Sequence, residues 1–548
     1  MTNLLAVPII VPMLAAAATL VLRKHPRAEA VIGVTATGIV LVAAIAILAK
    51  AWDGTILTTE IGGWAAPFGI VLVADALSAI MVTLTGIVAC AVTLYSAADF
   101  ETVGEGGDAQ TPLTLMLVAA VCGAFLTGDL FNLYVWFELL LLSSFVLLTI
   151  GGTPQQFEGA VKYVALNLLS SILFLSAAGL IYGSVGTLNM AHLSIRLDEI
   201  ADPTIATALA APLLVAFAVK GAVFPFFFWL PASYHTPAPA ISALFAGLLT
   251  KVGVYALIRT TTLMFDQEWA LLGQVILIFA SFTMLSGVLG AVSRNEMRRI
   301  LAFHSVSQIG YMIMGLGIGI TAFAAAAEIE PSDLAAAQAL RAAGTIGMAG
   351  AVVFLVHHGI VKSNLFLISG AVIRVRGTSE LPKLGGLQIS HPHLGVLFLI
   401  SSLALAGIPI FSGFWAKLAL VRAGLGAGTT VVVTVSLVVS ILTLFSMVKI
   451  WAYAFWRDVP KQQEEAPRPA GKLVLVSIGG MAALAVAIGV FAGPIFGLAQ
   501  TSARQILDST AYINAVAPLR SVAEPQKEPE PDGVDELAAA EESSGGLD

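Results

Sequence analysis

Charge is what this sequence has least of. Of 548 residues only 11% are Asp, Glu, Lys or Arg, while 58% are apolar. A soluble domain carries roughly 25% charged residues, so water is not the main solvent here. Cysteine is almost missing too. The only two, Cys90 and Cys122, both lie in apolar runs, which excludes a disulfide framework and leaves no CxxC spacing for zinc or an iron–sulfur cluster. Both read as small core residues. There is no GxxxxGK[ST] element, no Gly-rich dinucleotide turn and no Ser/His/Asp arrangement on a soluble scaffold. An ATPase or hydrolase is therefore unsupported, no cofactor is expected, and energy must come from an ion gradient or a partner. The formal charge of −7 arises largely in the C-terminal tail. There Glu524, Glu528, Glu530, Asp532, Asp535, Glu536, Glu541, Glu542 and Asp548 cluster among Pro, Gly and Ser, an unsuitable surface for nucleic acid. Residues 501–548 are expected to be a disordered acidic tail.

What is present is apolar length. Runs of about twenty residues, each enough to cross roughly 30 Å of hydrocarbon, recur from Leu4 to Leu498. They predict one all-α membrane domain over residues 1–500, with helices at 3–23, 30–50, 69–97, 112–127, 129–151, 160–183, 204–229, 238–262, 268–292, 298–321, 343–373, 392–422, 427–457 and 471–498. The first run, Leu4 to Leu22, has no basic region before it and another span after it, so it reads as a retained span and not as a signal peptide. Odd-numbered loops hold Arg23, Lys24, Arg27, Arg294, Arg298, Arg299, Arg374, Arg376, Lys383, Arg457, Lys461, Arg468 and Lys472. Even-numbered loops hold only Arg196, Arg259, Arg341 and Arg422. By the positive-inside rule the odd loops are cytoplasmic and both termini external, despite the acidic loop at Glu101, Glu105 and Asp108.

Two spans carry internal breaks, at Phe224-Pro225 through Leu230-Pro231 and at Gly407-Ile408-Pro409 through Ser412-Gly413. Freed backbone groups at such breaks must be satisfied by protein or water, and paired interruptions in two halves of a transporter mark function. Ordinary kinking of packed helices is the plainer explanation, but each break has a charge beside it.

Glu138, Lys220, Lys251 and Lys417 all fall deep in apolar runs. A charge at a helix centre costs about 2.5–3.5 kcal/mol on insertion scales, so four are hard to tolerate unless they pair or face water. Glu138 can neutralise one lysine, which leaves an excess of basic groups. A desolvated lysine whose pairing changes can take and release a proton near neutral pH. A static Glu138–Lys220 pair would explain two of the four and leave Lys251 and Lys417 unaccounted for. His357 and His358 adjoin in the eleventh run, and His358 and Lys362 are four apart on one helix face. Imidazole can pass protons through either nitrogen. No carboxylate at helical spacing completes a metal site, so a relay or plain packing is expected there. His235 and His304, nearer helix ends, are secondary candidates together with His357 and Lys362. Small polar residues such as Ser143, Asn167 and Ser363 serve as packing glue singly and could hold a water file together. Trp136, Trp229 and Trp415 read as core or interface anchors.

These segments resemble the D-type subunits of the Mrp-type multisubunit sodium/proton antiporters, within the wider family that includes the antiporter-like subunits of respiratory complex I. The resemblance rests on the stretches Gly62 to Trp64, Phe68 to Asp75, Gly128 to Glu138, Lys220 to Pro225, Tyr234 to Pro239 and Leu249 to Tyr255, then His358 with Lys362 and Gly407 to Lys417. It implies about fourteen transmembrane helices, two inverted five-helix repeats at about 112–262 and 268–457, and broken seventh and twelfth helices. The same resemblance places a proton relay on Glu138, Lys220, Lys251, His358 and Lys417, and implies other Mrp-type subunits as partners in the cell membrane. Lys417 departs from complex I relatives that carry Glu there. The function implied is proton translocation coupled to sodium export; the alternative is a proton-pumping subunit of a quinone-linked oxidoreductase or membrane hydrogenase. A scaffold whose charges merely hold helices and partners is a third reading.

Overall fold

Inside hydrocarbon a backbone must satisfy its own hydrogen bonds, and a helix does so within one segment. The structure, a computed structural model, describes residues 4–99, 109–200, 202–460 and 469–517. Glu101, Glu105, Asp108, Lys461, Arg468 and the acidic residues from Glu524 to Asp548 lie outside the described residues. Among the described residues eleven helices are long and apolar enough to cross a membrane, joined by three shorter apolar ones.

In chain order come α1 (Val7–Val21) and α2 (Pro26–Ala51), then strands β1 (Leu57–Glu60) and β2 (Val71–Ala74). Next are α3 (Ala76–Asp99), α4 (Gln110–Leu126), α5 (Leu130–Thr149) and α6 (Pro154–Val185). A short connector α7 (Met190–Asp198) leads to α8 (Pro203–Lys220), α9 (Trp229–Ser233) and α10 (Pro239–Met264). The second half holds α11 (Trp269–Val292), α12 (Met297–Ala327), α13 (Leu334–Arg376), α14 (Pro392–Ala406), α15 (Ser412–Gly426) and α16 (Thr430–Trp456). It closes with α17 (Lys472–Val490), α18 (Ala492–Leu507) and α19 (Thr510–Val516).

Helix starts follow local chemistry. Proline, pre-set for the first turn, opens α2, α6, α8, α10 and α14. Asp129, Asp202, Glu296 and Asp333 accept from the free first-turn amides of α5, α8, α12 and α13, and Thr153 with Gln156 forms a reciprocal cap on α6. Both expected breaks are present. α8 stops at Lys220 and helix resumes at Phe226, while α14 stops at Gly407, whose φ of +88° ends it, and α15 starts at Ser412.

Four expectations are corrected. The helix expected at 69–97 begins at Ala76, because residues 71–74 pair antiparallel with residues 57–60. Asp75 then starts the helix by accepting from the Ser78 amide at 2.9 Å. The eleventh span runs 43 residues, about 65 Å at 1.5 Å per residue, so it outreaches the apolar run that revealed it. Helical structure continues through α18 and α19 to Val516, past the boundary expected at 500. Arg259, Arg298, Arg341 and Arg422, counted as loop charges, all lie inside helices, and Arg259 and Arg298 are buried.

Burial sorts the helices. α10 is enclosed along its whole most apolar stretch and α12 nearly so, whereas α1, α2, α6, α11 and α16 keep large apolar side chains such as Leu14, Val42, Ile172, Ile278 and Ile441 on the outside. An exposed apolar belt around a buried centre is the arrangement a lipid solvent favours. Glycines set the closest approaches. A Cβ on Gly253 of α10 would lie 2.4 Å from the Gly221 nitrogen, so the break after α8 presses directly on α10.

Candidate ion-translocation site

The buried charges follow the enclosed centre of the molecule. Glu138 sits half-buried on α5, with its Oε1 buried and without a hydrogen-bond partner among the described residues. Lys220, the last residue of α8, is 4% exposed; its Nζ donates to Ser171 Oγ at 3.4 Å and lies 5.6 Å from the centre of the Phe137 ring. Among the described residues, Glu138 and Lys220 form no ion pair. They are near enough for their charges to act on each other, but the contact expected of a fixed pair is absent.

Lys251 is fully buried on α10. Its Nζ donates to the Ala246 carbonyl, within a π-helical stretch at Phe245–Leu249 whose wider turn leaves that carbonyl accessible. Thr250 beside it has an unpartnered buried hydroxyl. α13 crosses this region: Ser363 donates to the Ala243 carbonyl at 2.9 Å, and His358 lies within electrostatic reach of Lys251, Lys362, His357 and His304. His358 has no exposure and, among the described residues, no partner on either ring nitrogen. Lys362 donates to the Leu301 carbonyl at 2.7 Å, and His357 Nδ1 shares a hydrogen with Ser412 Oγ at 2.7 Å.

Ser412 opens α15, and Lys417 follows one turn later. Lys417 donates to the Leu405 and Ala406 carbonyls at 3.3 and 3.0 Å. Those carbonyls end α14, where the helix dipole is negative. The break thus supplies a seat for a cation that no carboxylate holds among the described residues. The Tyr311 ring lies 4.9 Å from Nζ, and Tyr311 stacks on Phe354, which packs edge-on to His357. Ser412 and Lys417 both belong to α15, so the second half of the broken span links His357 to Lys417.

Of the secondary candidates, His304 is buried on α12 with Nε2 at 2.5 Å from Ser446 Oγ and Nδ1 unpartnered. His235 lies apart from the centre, half-buried, with Nδ1 2.9 Å from the Pro231 carbonyl at the edge of a polar cavity. Among the described residues no three of His, Cys, Asp and Glu cluster as a metal-binding group.

Sequence reading missed two features. Arg259, read as a loop charge, is a buried partner of Asp75 at 2.5 Å and also donates to Tyr255 Oη and Ser78 Oγ. Gln308 and Ser307, close to His304 on α12, are fully buried, with side-chain polar atoms unpartnered among the described residues. The signal for Arg259 was its place at the end of a run. For Gln308 there was none beyond its polarity.

The sequence pattern of the family described as NADH:quinone oxidoreductase/Mrp antiporter, TM, matches residues 127–328 and 335–446. This chain belongs to that family. All five residues of the expected relay fall within the matched segments. The D component of the Na(+)/H(+) antiporter of Alkalihalophilus pseudofirmus is 42% identical over 94% of this chain and 99% of its own length. A chain in the structure of the Mrp complex from a Dietzia species superposes with a TM-score of 0.83 at 32% identity, covering 94% of this chain and all of that one. A chain of the membrane-bound sulfane sulfur reductase, an archaeal respiratory membrane complex, superposes at 0.82 with 25% identity and the same coverage. The antiporter/oxidoreductase family therefore contains chains of this fold in transporters and in redox complexes alike.

Proposed function

We propose that this chain is the proton-translocating subunit of a multisubunit sodium/proton antiporter, working with other antiporter subunits to exchange cytoplasmic sodium for external protons. The relay runs Glu138, Lys220, Lys251, His358 and Lys417, with Lys362, His357, His304 and His235 as accessory groups. The observation that carries the reading is the set of buried basic side chains held, among the described residues, by carbonyls and hydroxyls and not by carboxylates. A lysine bonded only to neutral acceptors can lose its proton without stranding a counter-charge. Unpartnered ring nitrogens on His358 support transfer between the Lys251 and Lys417 ends. Glu138 and Lys220 act as a switch: the separated arrangement of the structure is one state, and a bonded pair is the other.

The test is sodium-driven proton movement in vesicles containing the assembled complex with Lys251→Ala. Loss of transport with normal assembly is expected; altered assembly with normal transport would favour a scaffold. The likeness to a respiratory complex keeps one rival in view, a proton pump coupled to redox chemistry. That rival predicts redox cofactor subunits copurifying with the chain, and the higher identity to the antiporter relative weighs against it.

The chain lies in the cell membrane with both termini external. Support comes from Arg23 and Lys24 between α1 and α2, with Arg27 in the first turn of α2, Arg294 between α11 and α12, and Lys383 beyond α13, all at the same set of connections. With Arg259 buried in an ion pair, the opposing loops carry less positive charge than the sequence suggested. Alkaline phosphatase fused to the C-terminus should be active; an inactive fusion would reverse the orientation.

A further inference from the structure

A basic basin and an apolar groove meet on the outer face of the first broken span. The basin is a cavity of about 290 Å³ where the start of α6, the segment after α9 and the α11–α12 connection come together, lined by Glu158, Lys162, His235, Arg294 and Arg299. Glu158 is occupied by Lys162, at 2.5 Å. Among the described residues the Arg294 guanidinium meets only the Phe303 ring, 5.4 Å away, while the Arg294 carbonyl accepts from Lys449 at 2.7 Å, and the Arg299 guanidinium comes no nearer than 3.9 Å to Glu296. Glu296 is already engaged by two backbone amides and Ser379. Among the described residues, then, two guanidiniums line the basin without a hydrogen bond, and guanidinium forks match phosphate oxygens.

The groove is a second cavity of about 270 Å³ between α8, α10, α11 and α12, apolar apart from Thr207 at one end. A ladder of rings joins the two. Phe228 lines the basin and is 63% exposed; it stacks on Phe227 at 4.5 Å, Phe227 on Phe224 at 6.3 Å, and Phe224 on Phe282 of α11 at 5.2 Å. Phe224 lines the groove. A cationic basin continuous with an apolar groove on a lipid-facing surface suits a ligand with a phosphate at one end and a hydrocarbon chain at the other.

We infer that this face binds an anionic phospholipid, its phosphate held by Arg294 and Arg299 and an acyl chain laid along Phe228, Phe227 and Phe224 into the groove beside the broken span. Basic pockets between helices at the membrane surface recognise anionic headgroups in this way. A free phosphate would share the basin chemistry but leave the groove unused.

The experiment uses the antiporter complex containing this chain, delipidated in mild detergent and titrated with phosphatidylglycerol, phosphatidylcholine or inorganic phosphate, with bound lipid counted by native mass spectrometry. At about 1 kcal/mol per basic residue near a membrane surface, Arg294→Gln with Arg299→Gln should weaken phosphatidylglycerol about 30-fold and leave phosphatidylcholine unchanged. The paired Lys variants, which keep the charge, should retain most of the affinity and show that the complex still folds. Filling the groove with Val275→Trp should weaken phosphatidylglycerol alone. Displacement of the lipid by millimolar phosphate with no effect of Val275→Trp would overturn the proposal in favour of a free-anion site. Equal loss of both lipids would reduce the face to ordinary boundary lipid, and no response to any variant would also overturn the proposal, because the bound lipid would then lie elsewhere on the complex.

Discussion

His358 is buried with both ring nitrogens unpartnered among the described residues, at a cost of about 1–3 kcal/mol for each unmet hydrogen bond. Such a cost persists where the group has work to do or where water completes it. Replacing it with Ala should slow sodium-driven proton movement and alter its pH profile, while assembly is retained; an unchanged profile would return it to packing. Glu138 and Lys220 allow a sharper test. Glu138→Gln and Lys220→Ala should each abolish antiport, and the double variant should stay inactive, because a switch needs both charges. Recovery of transport in the double variant would instead identify a static pair, since removing both partners leaves no stranded charge. These residues were legible because a charge inside an apolar run is costly enough to stand out in any sequence. Gln308 and Ser307 were not, since a neutral polar side chain in a span usually packs without consequence. Nor could sequence show that Glu138 and Lys220 stand apart, for side-chain separation is set by how α5, α6 and α8 pack.

Elements divide in the same way. Both broken spans could be placed from Pro and Gly beside a lysine, and the structure puts a helix C-terminus near each: Lys220 ends α8, and Lys417 caps α14. Gly407 ties geometry to that second seat. Its φ is +88°, and an added Cβ would lie 2.8 Å from Lys417 Cδ. Gly407→Ala should therefore cost about 1–2 kcal/mol in backbone strain and displace the lysine, reducing transport more than thermal stability in detergent. Equal losses in the two would weaken the link to Lys417. The β1–β2 hairpin was hidden because Val71-Leu72-Val73-Ala74, buried along its whole length, has no alternation to separate a strand from the start of an apolar helix. Behind it the Asp75–Arg259 pair fastens α3 to α10, and Arg259 also lies over the Tyr512 ring of α19. Arg259→Ala or Asp75→Ala should each destabilise the chain by about 3–5 kcal/mol, read as lower midpoints of thermal unfolding, with the double variant less affected than the sum.

At the scale of the whole molecule, the fold class was legible because apolar run length is a direct record of the solvent, and the helices fall where those runs lie. Two things escaped: how far α13 extends past the hydrocarbon, and the helices after 500, where α18 and α19 are too polar to register as spans and are held by contacts such as Gln505 with Gly54 and Ala76. The distribution of charge has a consequence for sodium. Lys220, Lys251, Lys362 and Lys417 line the buried centre with Glu138 as the carboxylate near them, so a protonated relay presents a positive field that opposes a second cation in the same low-dielectric space. Protons avoid the conflict by arriving as the charge itself, whereas sodium needs oxygen ligands and negative charge from elsewhere in the complex. The purified chain alone in liposomes should therefore show no sodium-dependent proton movement, and adding back the remaining antiporter subunits should restore it. Robust exchange by the lone chain would place a sodium path within these helices and require that the lysines be largely neutral while sodium passes.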